Sequence, residues 1–257
     1  MSAHDLQTAT GAVDSRHLLV VGAGPGLGAS VARRFAREGY RLTLVARSEA
    51  KIAALAEELR GAGTDVTVVA ADAGDPDGLR AAVAPLFARP GAPGVVIYSA
   101  ALAASDELLG VTPEQLAAAY AVNVIGGVVT AQIAVPVMRA AGGGTLLFTG
   151  GGFADALPES LATLSLGKLA LGGAATMLAR QVRDDDIHAG SLTILGQIAA
   201  GTPLDPDRIA DAYWAIRNED ADAWREEYRF DGALGPRKRR RRARVERAAA
   251  PRIRARP

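Results

Sequence analysis

Short apolar runs alternate with longer amphipathic stretches along most of this chain, which predicts strands alternating with helices. The predicted strands cover residues 17–21, 41–46, 65–70, 95–99, 145–149, 190–195 and 228–230. The predicted helices cover residues 27–38, 49–60, 76–88, 112–139, 160–182 and 205–217, and Pro136 is expected to bend or interrupt the fourth of them. Such alternation indicates right-handed crossovers between parallel strands. The pattern therefore predicts a single doubly wound α/β domain with a mostly parallel seven-stranded sheet.

The charge of the chain is unevenly distributed along its length. Residues 237–256 hold eleven of the 29 Lys and Arg residues and one of the 28 acidic residues, although the whole chain has a net charge of only +1. We predict a flexible N-terminus at residues 1–15, a folded domain at 16–232 and a disordered basic tail at 233–257. Because the tail lacks interleaved aromatic residues, a solvated tail is favoured over nucleic-acid binding.

Composition narrows the class of protein further. A length of 257 residues with 49% hydrophobic residues suits one domain with a large buried core. The absence of cysteine excludes a disulfide framework, and three histidines disfavour a zinc site. The apolar runs are shorter than a membrane span, and the polar first residues do not have the pattern of a secretory signal. We therefore expect a cytoplasmic protein that does not bind membranes.

A glycine-rich turn follows the first predicted strand. Its residues are Gly22, Ala23, Gly24, Pro25, Gly26, Leu27 and Gly28, and the next helix begins within it. Glycines at this point permit a tight turn, and they let backbone N–H groups approach a pyrophosphate at the N-terminus of the helix. Since the turn lies between a strand and a helix, it predicts a Rossmann-type dinucleotide-binding domain.

The end of the second predicted strand indicates which dinucleotide is bound. NAD-binding domains place an acidic residue near this position to bind the ribose hydroxyls, whereas Ala46, Arg47 and Ser48 occupy it here. Arg47 is suited to a 2′-phosphate, and Ser48 can add a hydrogen bond. NADP(H) is therefore predicted over NAD(H). The alternative is that Arg47 is a solvated surface charge.

These motifs resemble those of the short-chain dehydrogenase/reductase family, over roughly residues 16–232. Gly22, Gly26 and Gly28 match its cofactor loop, and Ser99, Ala100 and Ala101 stand where the family has Asn-Ala-Gly. The resemblance implies cofactor binding by Gly22, Gly24, Gly26, Leu27, Gly28, Arg47, Ser48, Asp72, Ala73, Ser99, Ala100 and Lys168. It implies that Asp72 holds the adenine and that Asn123 is the catalytic asparagine. Alternatively, Asp72 caps a helix and Asn123 bonds only to backbone.

The sequence departs from the family at its catalytic tyrosine. The family's Tyr-x-x-x-Lys block aligns with residues 164–168, so that Leu164 replaces the tyrosine and Lys168 keeps the lysine position. The family's serine aligns with Gly151, and the nearest hydroxyl is that of Thr149, which can also be an ordinary strand-end side chain. In the family the tyrosine gives a proton to the developing alkoxide, which is worth about 10²–10⁴-fold in rate. Binding of the nicotinamide ribose would by itself explain why Lys168 is present.

Three interpretations of the missing tyrosine remain open. The first is an oxidoreductase acting on a small organic metabolite, with Lys168, Thr149, Ser165 or a water near Asn123 as proton donor. An activated alkene or an iminium substrate would demand less of such a donor. The second is a cyclase, isomerase or dehydratase of bacterial specialised metabolism, and the third is a dinucleotide-binding protein without catalysis.

Two further expectations concern the surroundings of the site. Substrate contacts are expected from residues 102–109, 150–161 and 197–214, because ligands bind beyond the carboxyl ends of the strands. The helices at 112–139 and 160–182 resemble those that form four-helix interfaces in the family. A homo-oligomer, dimer or tetramer, is therefore expected.

Overall fold

The computed structural model describes residues 13–235, and these form one seven-stranded sheet with helices on both faces. The strands are β1 Val13–Val21, β2 Arg41–Ala46, β3 Val66–Ala70, β4 Ala92–Tyr98, β5 Gly144–Gly151, β6 Ile187–Ile194 and β7 Glu227–Phe230. The helices are α1 Leu27–Arg37, α2 Ala53–Gly61, α3 Pro76–Phe87, α4 Pro113–Tyr120, α5 Gly126–Ala140, α6 Phe153–Ala156, α7 Ala162–Gln181 and α8 Pro206–Arg217. A π-helical turn, Ala121–Ile125, joins α4 to α5.

The strand order is β3-β2-β1-β4-β5-β6-β7, and every pairing between neighbouring strands is parallel. This confirms the predicted fold. The strand order changes direction between β1 and β4, because β2 and β3 are added on one side of β1 and the later strands on the other. Ligands of doubly wound sheets bind at this point, beyond the carboxyl ends of the strands.

Two apolar clusters sandwich the sheet because side chains alternate between the faces of each strand. Leu18 and Val20 of β1 face α1, α2 and α8, whereas Leu19 and Val21 face α3, α5 and α7. All four side chains are at most 1% exposed. Strands buried on both faces account for the continuous apolar runs in the sequence.

The first strand is longer than predicted. It begins at Val13, so residues 13–15 of the segment predicted to be flexible belong to β1, where Val13 pairs with Ala92. The sequence pattern misses this part because its register shifts between Asp14 and Leu18, and its polar side chains lie outside the core. Residues 233–235 of the predicted tail are also described, and Leu234 bridges to Phe230. The rest of both predicted terminal segments lies outside the described residues.

The long fourth helix is interrupted at a different place from the one predicted. Pro136 lies inside α5, which continues beyond it to Ala140. The helix is interrupted instead at the π-helical turn, which has about one more residue per turn than an α-helix. Asn123 is buried in this turn. Thr112 starts α4 as predicted, with a capping box formed by its hydroxyl and Gln115.

Two helical stretches, Pro113–Ala140 and Ala162–Gln181, are long and apolar enough to cross a membrane by length and composition alone. Both belong to the α/β fold. Side chains of α5 and α7 pack in the cluster on one face of the sheet, and residues such as Val129 and Leu171 are at most 7% exposed there. Packing against the sheet therefore accounts for the apolar character of the inner faces of these helices.

Candidate active site

The glycine turn after β1 forms a close contact with the end of β4. Gly22 adopts φ +92°, and its N–H donates to the carbonyl of Val45 at 2.9 Å. A Cβ at Gly22 would lie less than 3 Å from the backbone of Ser99 and Ala100, so only glycine fits. A Cβ at Gly28 would lie 2.8 Å from the Gly22 carbonyl oxygen, which lets α1 pack directly on the turn.

The open side of the same turn faces a cavity of about 340 Å³. A Cβ at Gly24 or Gly26 would meet no atom within 4 Å, and α1 begins at Gly26 without a side-chain cap. This N-terminus can therefore offer backbone N–H groups to an anion. The cavity is lined by residues 21–25, 45–48, 71–73 and 99–102, together with Lys51, Ile52 and Val122.

Three of the predicted cofactor-binding side chains meet in this cavity. Arg47 and Ser48 come from the end of β2, and Asp72 comes from the loop after β3. Asp72 is exposed, and its Oδ1 accepts from Gly74 N–H at 2.8 Å. It does not cap α3, because Asp75 does so by accepting from Gly78 N–H at 3.0 Å. The sequence analysis missed Lys51, which lines the cavity four residues beyond Arg47 and adds a second cation.

Asn123 is fully buried in the π-helical turn and holds the loop that follows β4. Its Oδ1 accepts from Leu102 N–H at 2.8 Å, and its Nδ2 donates to the Leu102 carbonyl at 3.0 Å. A Cβ at Gly167 would lie 2.6 Å from Asn123 Cβ, so α7 approaches this turn closely. The oxygen and the nitrogen of the Asn123 side-chain amide both therefore hold the backbone of Leu102.

Lys168 extends from α7 towards the end of β5. Its Nζ donates to the Thr149 carbonyl at 2.8 Å, and the residue is 7% exposed. Burial lowers the pKa of Lys168 to about 8, because the charged ammonium loses hydration. Leu164, one turn earlier on α7, is 5% exposed and brings no polar atom to the site. The Ser165 hydroxyl is buried and has no hydrogen-bond partner among the described residues.

The hydroxyl of Thr149 is directed away from Lys168. It shares a 2.7 Å hydrogen bond with the hydroxyl of Tyr213, on the face of the sheet covered by α8. Only the Thr149 carbonyl contacts Lys168, which approaches from the opposite face. This geometry disfavours Thr149 as the predicted proton donor. Tyr213 is fully buried, and desolvation raises the pKa of its phenol.

Three loops lie beyond the carboxyl ends of β4, β5 and β6, where substrate contacts are predicted. The loop after β4 is tied to α7, because Asp106 N–H donates to the Ser160 carbonyl at 3.0 Å and Asp106 Oδ1 accepts from Thr163 N–H at 3.0 Å. The loop after β5 contains α6, which Asp155 links to Arg229 through an ion pair. Trp214 does not line these loops, because it packs against Phe35 at 5.3 Å between ring centroids.

Large apolar side chains are exposed on these loops. Leu108 and Leu109 after β4 are 63% and 102% exposed, and Leu157 after β5 is 53% exposed. The loop segments 102–112, 152–161 and 195–205 contain no Lys or Arg. Within residues 13–235, no group of three or more His, Cys, Asp or Glu side chains could hold a metal ion.

Comparison with known proteins agrees with this geometry. A family model described as short chain dehydrogenase matches residues 16–199. The chain is 29% identical to a 3-dehydrosphinganine reductase of Arabidopsis thaliana over 180 residues, which are 68% of this chain and 54% of that protein. It is 28% identical to an uncharacterized oxidoreductase of Mycobacterium tuberculosis over 199 residues, 75% of this chain and 76% of that one. The chain thus spans about half the length of the plant relative.

Solved structures share the fold over most of the chain. A short-chain dehydrogenase from Rhodopseudomonas palustris superposes with a TM-score of 0.73 at 26% identity, covering 84% of this chain and 97% of that one. The L-sorbose reductase of Gluconobacter frateurii, complexed with NADPH and L-sorbose, has a TM-score of 0.78 at 22% identity, covering 88% and 98%. At that identity the second likeness concerns the fold alone.

Proposed function

Because this chain belongs to the short-chain dehydrogenase/reductase family of oxidoreductases, we propose that it binds NADP(H) and transfers hydride between this cofactor and a small organic metabolite. Its active site is non-standard, since Leu164 stands in the position of the family's tyrosine. The observation that supports the proposal is the cavity between the glycine turn and the end of β2. Arg47, Ser48 and Lys51 line this cavity, and β2 contributes no acidic residue to it.

The residues present fit a dinucleotide. The uncapped start of α1 suits a pyrophosphate, because it leaves backbone N–H groups at an open surface, and the open space beside Gly24 and Gly26 leaves room for the ligand. Arg47, Ser48 and Lys51 would hold a 2′-phosphate, and the exposed Asp72 would hold the adenine. The bound cofactor would supply the hydride. Lys168, whose ammonium group donates to the Thr149 carbonyl, would bind the nicotinamide ribose.

Calorimetric titration with NADPH and NADH tests the cofactor assignment. We expect micromolar binding of NADPH and much weaker binding of NADH. Arg47→Asp should weaken NADPH binding about tenfold to hundredfold, since a charge-assisted hydrogen bond contributes about 1.5–3 kcal/mol, and should leave NADH binding nearly unchanged. Arg37→Asp is the matched control, because it makes the same charge change at the exposed far end of α1. An unchanged NADPH/NADH ratio in Arg47→Asp would refute the assignment.

The titration also separates the proposed oxidoreductase from its two alternatives. If no dinucleotide binds, the redox function is lost, and a cyclase, isomerase or dehydratase that uses the pocket for positioning becomes the better proposal. If NADPH binds but no hydride acceptor is turned over, a catalytically inactive dinucleotide-binding protein is favoured. The substrate screen should place iminium ions and activated alkenes before ketones, since these acceptors demand less of a proton donor.

We also propose that the protein is a homo-oligomer that associates through α5 and α7. On α7, Leu169 is 53% and Met177 61% exposed, which leaves large apolar side chains on the outer face of a buried helix. Light scattering coupled to gel filtration should give a dimer or tetramer. Replacing both residues by Glu should shift the protein to monomers, and an unchanged mass would contradict this interface.

A further inference from the structure

We propose that the hydride acceptor of this site is an iminium ion, a cationic carbon–nitrogen double bond, carried on an apolar molecular body. This inference rests on the proposed hydride-transfer function and specifies its substrate class. It is drawn from the arrangement of Leu164, Thr149, Asn123 and Lys168, and from the charge and exposure of the three loops around them.

The chemistry of the acceptor decides whether an acid is needed. When hydride adds to a ketone carbon, the C=O π electrons become an alkoxide, which must take a proton from the enzyme or from water. When hydride adds to an iminium carbon, the C=N π electrons become the lone pair of a neutral amine. The dihydronicotinamide is oxidised and the iminium is reduced by the same two electrons. No proton is taken up, so an iminium is suited to a site without an acid.

The side chains that could replace the tyrosine are poorly suited to donate a proton. Leu164 has no ionisable atom, and the Thr149 hydroxyl is bonded to Tyr213 on the other face of the sheet. The Asn123 amide is bonded at both ends to Leu102. Ser165 keeps a free hydroxyl among the described residues, but an aliphatic alcohol is a much weaker acid than a phenol.

Among the side chains considered as proton donors, Lys168 is the one that remains. Its ammonium group donates a hydrogen bond to the Thr149 carbonyl, and desolvation lowers its pKa to about 8, which makes it a stronger acid than an ordinary lysine. If Lys168 donated the proton, ketone reduction would slow as the pH rises through the pKa of Lys168, whereas reduction of an iminium takes up no proton.

The loops around the site favour a cationic or neutral substrate with an apolar body. Segments 102–112, 152–161 and 195–205 contain no Lys or Arg, so they offer no side-chain cation to a phosphate or carboxylate on the substrate. Glu107 and Glu159 are exposed on two of them. The exposed Leu108, Leu109 and Leu157 provide apolar surface at the same edge of the sheet.

The test compares two bicyclic acceptors of similar size, the N-methyl dihydroisoquinolinium ion and the neutral ketone tetralone. With NADPH, the enzymatic acceleration over the uncatalysed reaction should be at least about a hundredfold larger for the iminium. An equal or larger acceleration for tetralone would overturn the inference. Since the N-methyl group blocks deprotonation, kcat for the iminium at saturating NADPH should be constant from about pH 6 to 9. Reduction of tetralone as efficient as that of the iminium, with a kcat for tetralone that falls as the pH rises through about 8, would assign proton donation to Lys168 and likewise overturn the inference.

Leu164→Tyr provides the gain-of-function arm, with Leu164→Phe as matched control because it adds the ring without the hydroxyl. Leu164→Tyr should raise tetralone reduction by about a hundredfold over Leu164→Phe, whereas the two variants should reduce the iminium at similar rates. A larger gain for the iminium than for tetralone would contradict the inference. If these variants do not fold, the comparison of substrates with the native protein still decides.

Binding measurements give a readout that does not depend on turnover. In the presence of NADP⁺, calorimetry should detect the iminium more strongly than tetralone and should not detect a bicyclic carboxylate of the same size. Tight binding of the carboxylate would overturn the charge argument. Failure of the substrate inference and failure of the proposed function are distinguishable, because NADPH binding measured alone tests only the latter.

Discussion

Replacing Lys168 by Met should stabilise the protein in the absence of cofactor, although it removes a side chain that we propose binds the cofactor. The ammonium group is buried beneath the end of β5, and its one hydrogen bond is to the Thr149 carbonyl. No carboxylate contributes to its pKa, which desolvation alone lowers. A charge buried without a counter-ion opposes folding, and an apolar side chain of similar length relieves that penalty.

The magnitude follows from the pKa of Lys168. Burial lowers it from 10.5 to about 8, and one unit of pKa corresponds to about 1.4 kcal/mol, so the charged form is penalised by about 3 kcal/mol in the folded state. Because the folded pKa is below the unfolded one, the penalty is complete below pH 8 and disappears as the pH rises towards 10.5. The stability advantage of Lys168→Met should therefore shrink by about 3 kcal/mol between pH 7 and pH 10.5.

Urea denaturation of both proteins without cofactor, at several values across this pH range, measures the difference. Lys51→Met is the control, because Lys51 is an exposed lysine and its replacement should change stability by less than about 0.5 kcal/mol at every pH. A Lys168→Met variant whose stability difference from the native protein does not change with pH would refute the reasoning. NADPH titration of the same variant should show weaker binding.

Three further predictions concern the glycine turn, Asn123 and His188 of β6. Gly22→Ala should lower the free energy of unfolding by about 2–5 kcal/mol in urea titrations, because the added Cβ overlaps the backbone at the end of β4 and Gly22 has a positive φ. Gly26→Ala is the control and should change the free energy of unfolding by less than about 1 kcal/mol, since its Cβ meets no atom. Equal effects of the two substitutions would contradict this geometry. Asn123→Ala should destabilise the protein by about 1–3 kcal/mol in urea titrations, since it leaves two part-buried backbone groups of Leu102 without their partner. A loss well below about 1 kcal/mol would mean that water replaces the amide. Burial lowers the pKa of His188 to about 4, so the folded state favours its neutral form. The contribution of His188 to the free energy of unfolding should be complete above pH 6.5 and should fall by about 3 kcal/mol as the pH decreases to 4. In acid denaturation experiments, His188→Gln should remove this pH-dependent contribution.

The parts of the fold that depend on local backbone chemistry could be predicted from the sequence. The glycine turn, the capping of α4 by Thr112 and the capping of α8 by Asp205 each follow from residue types that favour one backbone conformation. Asp205, the first residue of the predicted helix 205–217, accepts from Asp207 N–H at 2.9 Å. These features need no knowledge of the rest of the chain.

The site could be predicted only in part, because the direction of a side chain depends on the sheet around it. Thr149 was proposed as a proton donor from its position at a strand end, yet the alternation of β5 turns its hydroxyl towards Tyr213, 64 residues away in sequence. The π-helical turn was missed because no residue type marks an inserted residue within a helix, whereas Pro136 is a conspicuous breaker that α5 accommodates. Both the direction of the Thr149 hydroxyl and the position of the π-helical turn depend on tertiary context.

The contrast between Leu164 and Lys168 bears on what the site still does. Leu164 is an ordinary buried apolar residue that contributes to packing, whereas Lys168 opposes folding by about 3 kcal/mol in the cofactor-free protein. A fold that needed only packing at this position would be more stable with methionine or leucine. If the protein binds a dinucleotide as proposed, the ribose hydroxyls would offset this penalty, because they would give the ammonium group hydrogen bonds in place of the water that burial removes. A buried leucine at the position of the family's tyrosine, together with a buried cation one turn later, is the combination that we expect of a protein with the proposed function, which binds a dinucleotide and reduces an acceptor that needs no acid.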